Sequence, residues 1–252
     1  MFKLSKKILG ALIVAAALPA AASSLPKAKV HNIVLVHSAL VDGSSWKGVY
    51  DQLTKDGFKV SIVAHTQTSL VEDVAATKRV LDQQDGPTVL VGASYGGSII
   101  TQAGDHPNVK ALVYVAAMQP DVGESLVDLS NRIPPISTHL VPDTHGLLSL
   151  DPKVFHADFA ADIPKAQADF LANGQMPLAV AAASAKTTVA AWHDKPSYAV
   201  LATEDQLIDP KLQRYMYTRG KDKITEIKAS HGVFLSQPVR VAKVIEKAAT
   251  DL

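Results

Sequence analysis

Nucleophilic catalysis needs a hydroxyl or thiol held in the open and a base to take its proton. The chain has no Cys, which leaves Ser as the first candidate. One stretch offers it in context. The apolar run Thr88 to Val91 leads into Gly92-Ala93-Ser94-Tyr95-Gly96-Gly97, and helical spacing follows from Ser98. This is a G-x-S-x-G pattern between a strand and a helix. A sharp strand-to-helix turn lifts the Ser94 hydroxyl above the sheet, where bulky neighbours two residues away would clash. The Tyr95 amide, at a helix N-terminus, then points at the place where negative charge grows on a substrate carbonyl. The plainer alternative is a Gly-rich helix start without chemistry.

Of nine His, His231 stands where a base is needed. It lies in Lys228-Ala229-Ser230-His231-Gly232, between the last strand and the last helix. Loops at the C-terminal ends of parallel strands gather the sites of such sheets. A carboxylate must hold the imidazole in one tautomer. Asp205, in Thr203-Glu204-Asp205-Gln206-Leu207-Ile208-Asp209-Pro210, is the first choice, with Glu204 in reserve and Asp209 third. The order Ser, Asp, His fits this kind of architecture. A second oxyanion donor can come from the small residues of His37 to Trp46, where Asp42 or Ser44 can also cap a helix.

The elements that must position these groups are legible as patterns. Short runs rich in β-branched residues cover His31 to Val36, Lys59 to Val63, Thr88 to Val91, Ala111 to Val115, Tyr198 to Leu201 and Ile224 to Ile227. Their near-continuous apolarity predicts strands buried on both faces. Helical spacing covers Ser44 to Lys55, Ser69 to Gln83, Gly96 to Ala103, Pro210 to Arg219 and Pro238 to Ala249. The alternation predicts an α/β fold with a mostly parallel sheet of about six strands and helices on both faces. Residues 118–195 break the pattern. They carry seven of the 14 Pro and no convincing strand, but hold Ala-rich runs such as Ile163 to Ala172 and Leu178 to Ala190. Phe155, Phe159, Phe170 and Trp192 there call for burial. This predicts a helical cap at 118–195, inserted into a core made of 23–117 and 196–252.

Composition narrows the function classes. The 252 residues carry 25 Lys+Arg against 24 Asp+Glu, no footprint for a nucleic acid partner. The absence of Cys excludes disulfides and thiolate metal sites. His139, His145 and His156 lack ligand spacing such as H-E-x-x-H, so no metal site is expected. His31, His65, His106 and His193 read as surface or loop residues, and His37 as support for its loop. Lys3, Lys6 and Lys7, the apolar run Ile8 to Leu18, and Pro19 to Ser23 make the three-part layout of a secretory signal. The run is too short to span a bilayer. Cleavage after Ala22 removes three Lys and no acid, leaving 22 basic against 24 acidic residues. The expectation is a periplasmic or secreted protein with no stable membrane span.

The combination resembles the α/β-hydrolase superfamily, in its small, cofactor-free esterase branch with plant methyl esterases, hydroxynitrile lyases and bacterial relatives. The shared residues are His37-Ser38-Ala39 with Asp42-Gly43-Ser44-Ser45-Trp46, the Gly92 to Gly97 turn, Thr203 to Pro210, and Ser230-His231 with Ser236-Gln237-Pro238. The resemblance spans nearly all of 31–250. It implies Ser94 as nucleophile, Asp205 as acid, His231 as base, and the amides of Ala39 and Tyr95 as the oxyanion hole, with no cofactor. Two positions depart from the pattern: Ser38 where Gly is usual and Ala93 where His is frequent. Hydroxynitrile lyases also carry a hydroxyl residue at the place of Ser38, but a Lys where this chain has Gly232. The expected function is hydrolysis of a small ester through an acyl-enzyme. The alternatives are a lyase on the same site and a non-catalytic ligand-binding protein of the same fold.

Overall fold

The computed structural model describes residues 29–252; the expected signal segment lies outside them. The chain begins with β1 (Asn32–Val36), a 3-10 turn at Gly43–Trp46, α1 (Lys47–Lys55), β2 (Lys59–Val63), α2 (Leu70–Asp82), β3 (Thr88–Ala93), α3 (Gly96–Ala103) and β4 (Val109–Val115). Five short elements and two more helices follow: α4 (Leu126–Arg132), β5 (Val141–Pro142), β6 (Leu147–Ser149), α5 (Pro152–Phe159), α6 (Lys165–Asn173), β7 (Leu178–Ala179) and α7 (Val180–Ser184). The main sheet then resumes with β8 (Ser197–Ala202), α8 (Pro210–Arg219), β9 (Lys223–Ile227), α9 (Val233–Ser236) and α10 (Pro238–Thr250).

Six parallel strands form the main sheet in the order β2-β1-β3-β4-β8-β9. Every residue of β1, β3 and β8 is buried, as their mostly apolar sequences require of strands covered on both faces, whereas the edge strands β2 and β9 are each fully buried at one residue only, contrary to the expected burial. The α1–α10 pair and the α2–α3 pair supply the two covers. From β1 the chain runs outward to β2, then returns to place β3 on the other side of β1. The loops after β1 and β3 therefore flank the point where the strand order reverses, which is where open α/β sheets bind ligands.

Residues 118–195 depart from an all-helical insertion. β5, β6 and β7 form a small antiparallel sheet. Strands of two or three residues leave no alternation to read in a sequence. The Ala-rich run Leu178 to Ala190 is helical only at Val180–Ser184. Its start pairs with β6, and at its end Thr187 exchanges backbone hydrogen bonds with Gly123 and Glu124. Local pairing there outweighs the helix preference of Ala. Phe155, Phe159 and Trp192 are buried, but Phe170 is 78% exposed on α6, contrary to the expected burial.

Candidate active site

Ser94 occupies the turn between β3 and α3 with φ 51°, a left-handed conformation that a residue with a β-carbon keeps only when its surroundings fix it. The fixing contacts are visible. The Ser94 amide donates to the Val115 carbonyl at 3.2 Å, and its carbonyl accepts from Gly97 at 2.9 Å and Met118 at 3.1 Å. The glycines are demanded by close approach. A β-carbon on Gly92 would lie 2.5 Å from the Gly96 carbonyl oxygen, and one on Gly97 would lie 2.0 Å from that of Met118. Leu40, Gln67 and Ala116 also have left-handed φ, at 67°, 63° and 43°. These four residues follow the C-terminal ends of β1 to β4, and of the left-handed non-Gly residues described only Lys221, at φ 57° before β9, lies away from that rim.

His231 and Asp205 meet there. The His231 Nδ1 lies 2.7 Å from Asp205 Oδ2, and both side chains are essentially inaccessible. The rest of the carboxylate is fully occupied. Its Oδ1 accepts the amides of Leu207 and Ile208 at 2.8 and 2.9 Å, and its Oδ2 also accepts from Gln213 Nε2 at 2.8 Å. Four donors on a buried carboxylate hold its plane, and the plane holds the imidazole. The reserve acids lie elsewhere. Glu204 is exposed and 3.6 Å from Lys228; Asp209 caps α8 by accepting the Lys211 amide at 2.7 Å.

Ser94, His231, Ala39 and Tyr95 line one cavity of about 220 Å³. Its remaining wall is largely apolar, with Leu40 from the core, Met118, Leu126, Val127, Leu140 and Phe159 from 118–195, and Leu207 and Ile208 beside Asp205. Among the described residues, neither the Ala39 nor the Tyr95 amide donates to a protein acceptor. The loop that carries Ala39 is braced as the sequence suggests: Asp42 accepts the Ser44 amide at 2.7 Å and caps the 3-10 turn. The Ser38 hydroxyl donates to the Ala39 carbonyl at 2.9 Å.

Two groups of residues were not legible as parts of this rim. His65, expected as a surface or loop residue, lies in the loop after β2 but is buried and stacked on His37 with ring centroids 3.6 Å apart and planes 9° from parallel. Burial first, then the neighbouring His37, lowers its pKa to about 3; burial likewise lowers that of His37. In the second group, Asp162 accepts from Ser230 and, at 2.7 Å, from Ser236, while the Gly232 amide donates to the Phe159 carbonyl at 2.7 Å. The loop on either side of His231 is thus tied to the segment after α5, and the Phe159 ring meets His231 edge-on at 5.2 Å.

The α/β-hydrolase family model matches residues 33–244, and the chain belongs to that family. It is 31% identical over 131 residues to a carbendazim-hydrolysing esterase of Nocardioides sp. (strain SG-4G), a match covering 46% of this chain and 54% of that protein. It is 26% identical over 246 residues to a pyrethroid hydrolase of Sphingobium wenxiniae, covering 86% of each. A methylesterase from Arabidopsis superposes with a TM-score of 0.74 at 17% identity, over 88% of this chain and all of that one.

Proposed function

We propose that the protein is a serine hydrolase that cleaves small, uncharged esters through an acyl-enzyme formed on Ser94. The observation that carries this reading is the convergence of a strained Ser94 and a buried Asp205–His231 pair on one apolar cavity. The related proteins named esterases and hydrolases support the same reaction class.

In this mechanism Asp205 keeps the proton of His231 on Nδ1, which leaves Nε2 free to accept the proton of the Ser94 hydroxyl. Ser94 Oγ bonds to the carbonyl carbon, and the amides of Ala39 and Tyr95 take the oxygen that becomes negative. His231 returns its proton to the leaving alcohol. Water then attacks the acyl-enzyme by the same path and frees the acid. A lyase reaction on this site would need a cation for departing cyanide. Gly232 supplies none, and no Lys or Arg lines the cavity among the described residues.

A panel of p-nitrophenyl and methyl esters of increasing chain length tests the proposal. The expected result is turnover of short apolar esters, lost by several powers of ten in Ser94→Ala, with negligible cyanide release from mandelonitrile. No turnover of any ester contradicts it. The reading also includes export, supported by the basic, apolar and small-residue order of the first 23 residues. Intact-mass measurement on protein recovered from a secreting host should find a chain starting near Ser23, and a retained Met1 on membrane-bound protein opposes it.

A further inference from the structure

Asp73 is a fully buried carboxylate that the mechanism above does not use. It belongs to the first turn of α2, where an acid commonly serves only the helix end. Its contacts reach further. Oδ1 accepts the amides of Thr66 and Gln67, each at 3.1 Å, and Oδ2 accepts the Tyr95 hydroxyl at 2.8 Å. Tyr95 carries one of the two amides assigned to the oxyanion. Gln67 reaches the segment that carries the other: its Oε1 accepts from the Leu40 amide at 3.3 Å, and its Nε2 donates to the Val41 carbonyl at 3.0 Å.

Burying a carboxylate without a countercharge is costly, and among the described residues Asp73 forms no ion pair with a Lys or Arg. The imidazole of His65 has its Nδ1 3.7 Å away, and with its pKa lowered to about 3 that ring is neutral at ordinary pH. Hydrogen bonds alone balance the charge, and they run to the two segments that must be held at a fixed spacing. Gln67 itself has φ 63°, a backbone state that its amide contact with Asp73 helps to fix. Oxyanion donors act only when both stand about 2.7–3.1 Å from the developing charge, so the spacing of the Ala39 and Tyr95 segments is a catalytic quantity.

We infer that Asp73 is a positioning residue, which sets the distance between the two oxyanion amides through Tyr95 on one side and Gln67 on the other. The inference rests on the ester-hydrolase reading. The Leu40 amide also donates to the Met176 carbonyl at 3.1 Å, so the loop keeps one anchor when the Gln67 contact is cut. Removing the Asp73 contacts therefore weakens catalysis without abolishing it.

The test compares Asp73→Asn, Tyr95→Phe and Gln67→Ala with the wild type on p-nitrophenyl acetate. Each should lower kcat by roughly 5- to 50-fold, part of the loss known for deleting an oxyanion donor, with KM within about two-fold. Affinity for an alkyl boronic acid, whose tetrahedral adduct on Ser94 places an oxygen at the same amides, should fall in parallel. Affinity for a simple alcohol competitor should not. Asp73→Asn combined with Tyr95→Phe should cost little more than either alone, because both cut one path. Should Asp73→Asn fail to fold, Tyr95→Phe, which removes a single hydroxyl, decides the matter. Lowered thermal stability with kcat and boronate affinity unchanged overturns the inference and leaves the ester reading intact. A folded wild type that turns over no ester overturns both.

Discussion

Replacing Asp205 by Asn changes one atom of a buried group, and the surroundings dictate where that atom goes. Oδ1 faces the amides of Leu207 and Ile208, so the Asn oxygen must take that place. Its NH2 is left at the position of Oδ2, 2.7 Å from His231 Nδ1 and 2.8 Å from Gln213 Nε2. The NH2 then donates to Nδ1 and drives the imidazole proton to Nε2, the nitrogen that accepts the Ser94 proton in the proposed mechanism. A comparable tautomer reversal costs on the order of 10³–10⁴ in kcat, equivalent to about 4–5.5 kcal/mol of barrier. Gln213 cannot turn to help, because its Oε1 accepts the Ala202 amide and its Nε2 also donates to the Ile208 carbonyl. The facing donors should lower stability by about 1–3 kcal/mol. Initial rates on p-nitrophenyl acetate, with a thermal melt of each variant, measure both effects. Glu204→Gln, at an exposed carboxylate, should change kcat less than about two-fold. Asp205→Asn retaining more than a tenth of wild-type kcat, or a larger loss in Glu204→Gln, would refute the tautomer argument.

Three further outcomes follow from particular contacts. Gly97→Ala places a β-carbon 2.0 Å from the Met118 carbonyl oxygen, so it should lose at least about 2–3 kcal/mol or fail to fold; a wild-type melting temperature contradicts this. Burial raises the Asp222 pKa to about 7, opposed in part by hydrogen bonds from Gln119 Nε2 at 3.0 and 3.1 Å. The folded state therefore holds this proton more tightly than the unfolded chain. Its contribution is complete below about pH 4 and lost as pH rises to about 7, so Asp222→Asn should gain on the wild type across that window by up to about 4 kcal/mol; parallel stability curves for the two proteins would contradict it. Among the described residues, His231 is the only side chain lining the cavity that can carry a positive charge. Esters bearing a carboxylate should then show kcat/KM at least about 100-fold below their methylated counterparts, since nothing pairs the buried charge, and equal rates would show another binding mode.

What the sequence discloses here is what local order determines. Thr88 to Gly97 joins a buried, mostly apolar strand to a glycine turn, and the chain folds that way because a β-carbon at Gly92 or Gly97 has no room. Asp205 and His231 are readable because each follows an apolar run that ends at the same rim of the sheet. The groups that brace the rim are not readable, since their roles arise from contacts between distant segments. Asp73 has the spacing of an ordinary helix-start acid, and only the fold brings Tyr95, 22 positions away, onto it. His65 has the neighbours of a loop residue, yet packing against His37 buries it. In 118–195 short strands and Ala-rich runs leave weak periodicity, so β5 to β7 are invisible and the exposed Phe170 has the signature of a core residue.

The central claim, that Ser94 forms a covalent bond with the acyl group, is tested most directly by trapping that bond. The purified protein would be treated with a fluorophosphonate, and separately acid-quenched during turnover of a p-nitrophenyl ester, then measured by intact mass and peptide mapping. The expected result is one adduct per chain, carried by the peptide containing Ser94, with none formed by Ser94→Ala. An active wild type with no adduct on Ser94, or equal modification of Ser94→Ala, would contradict it.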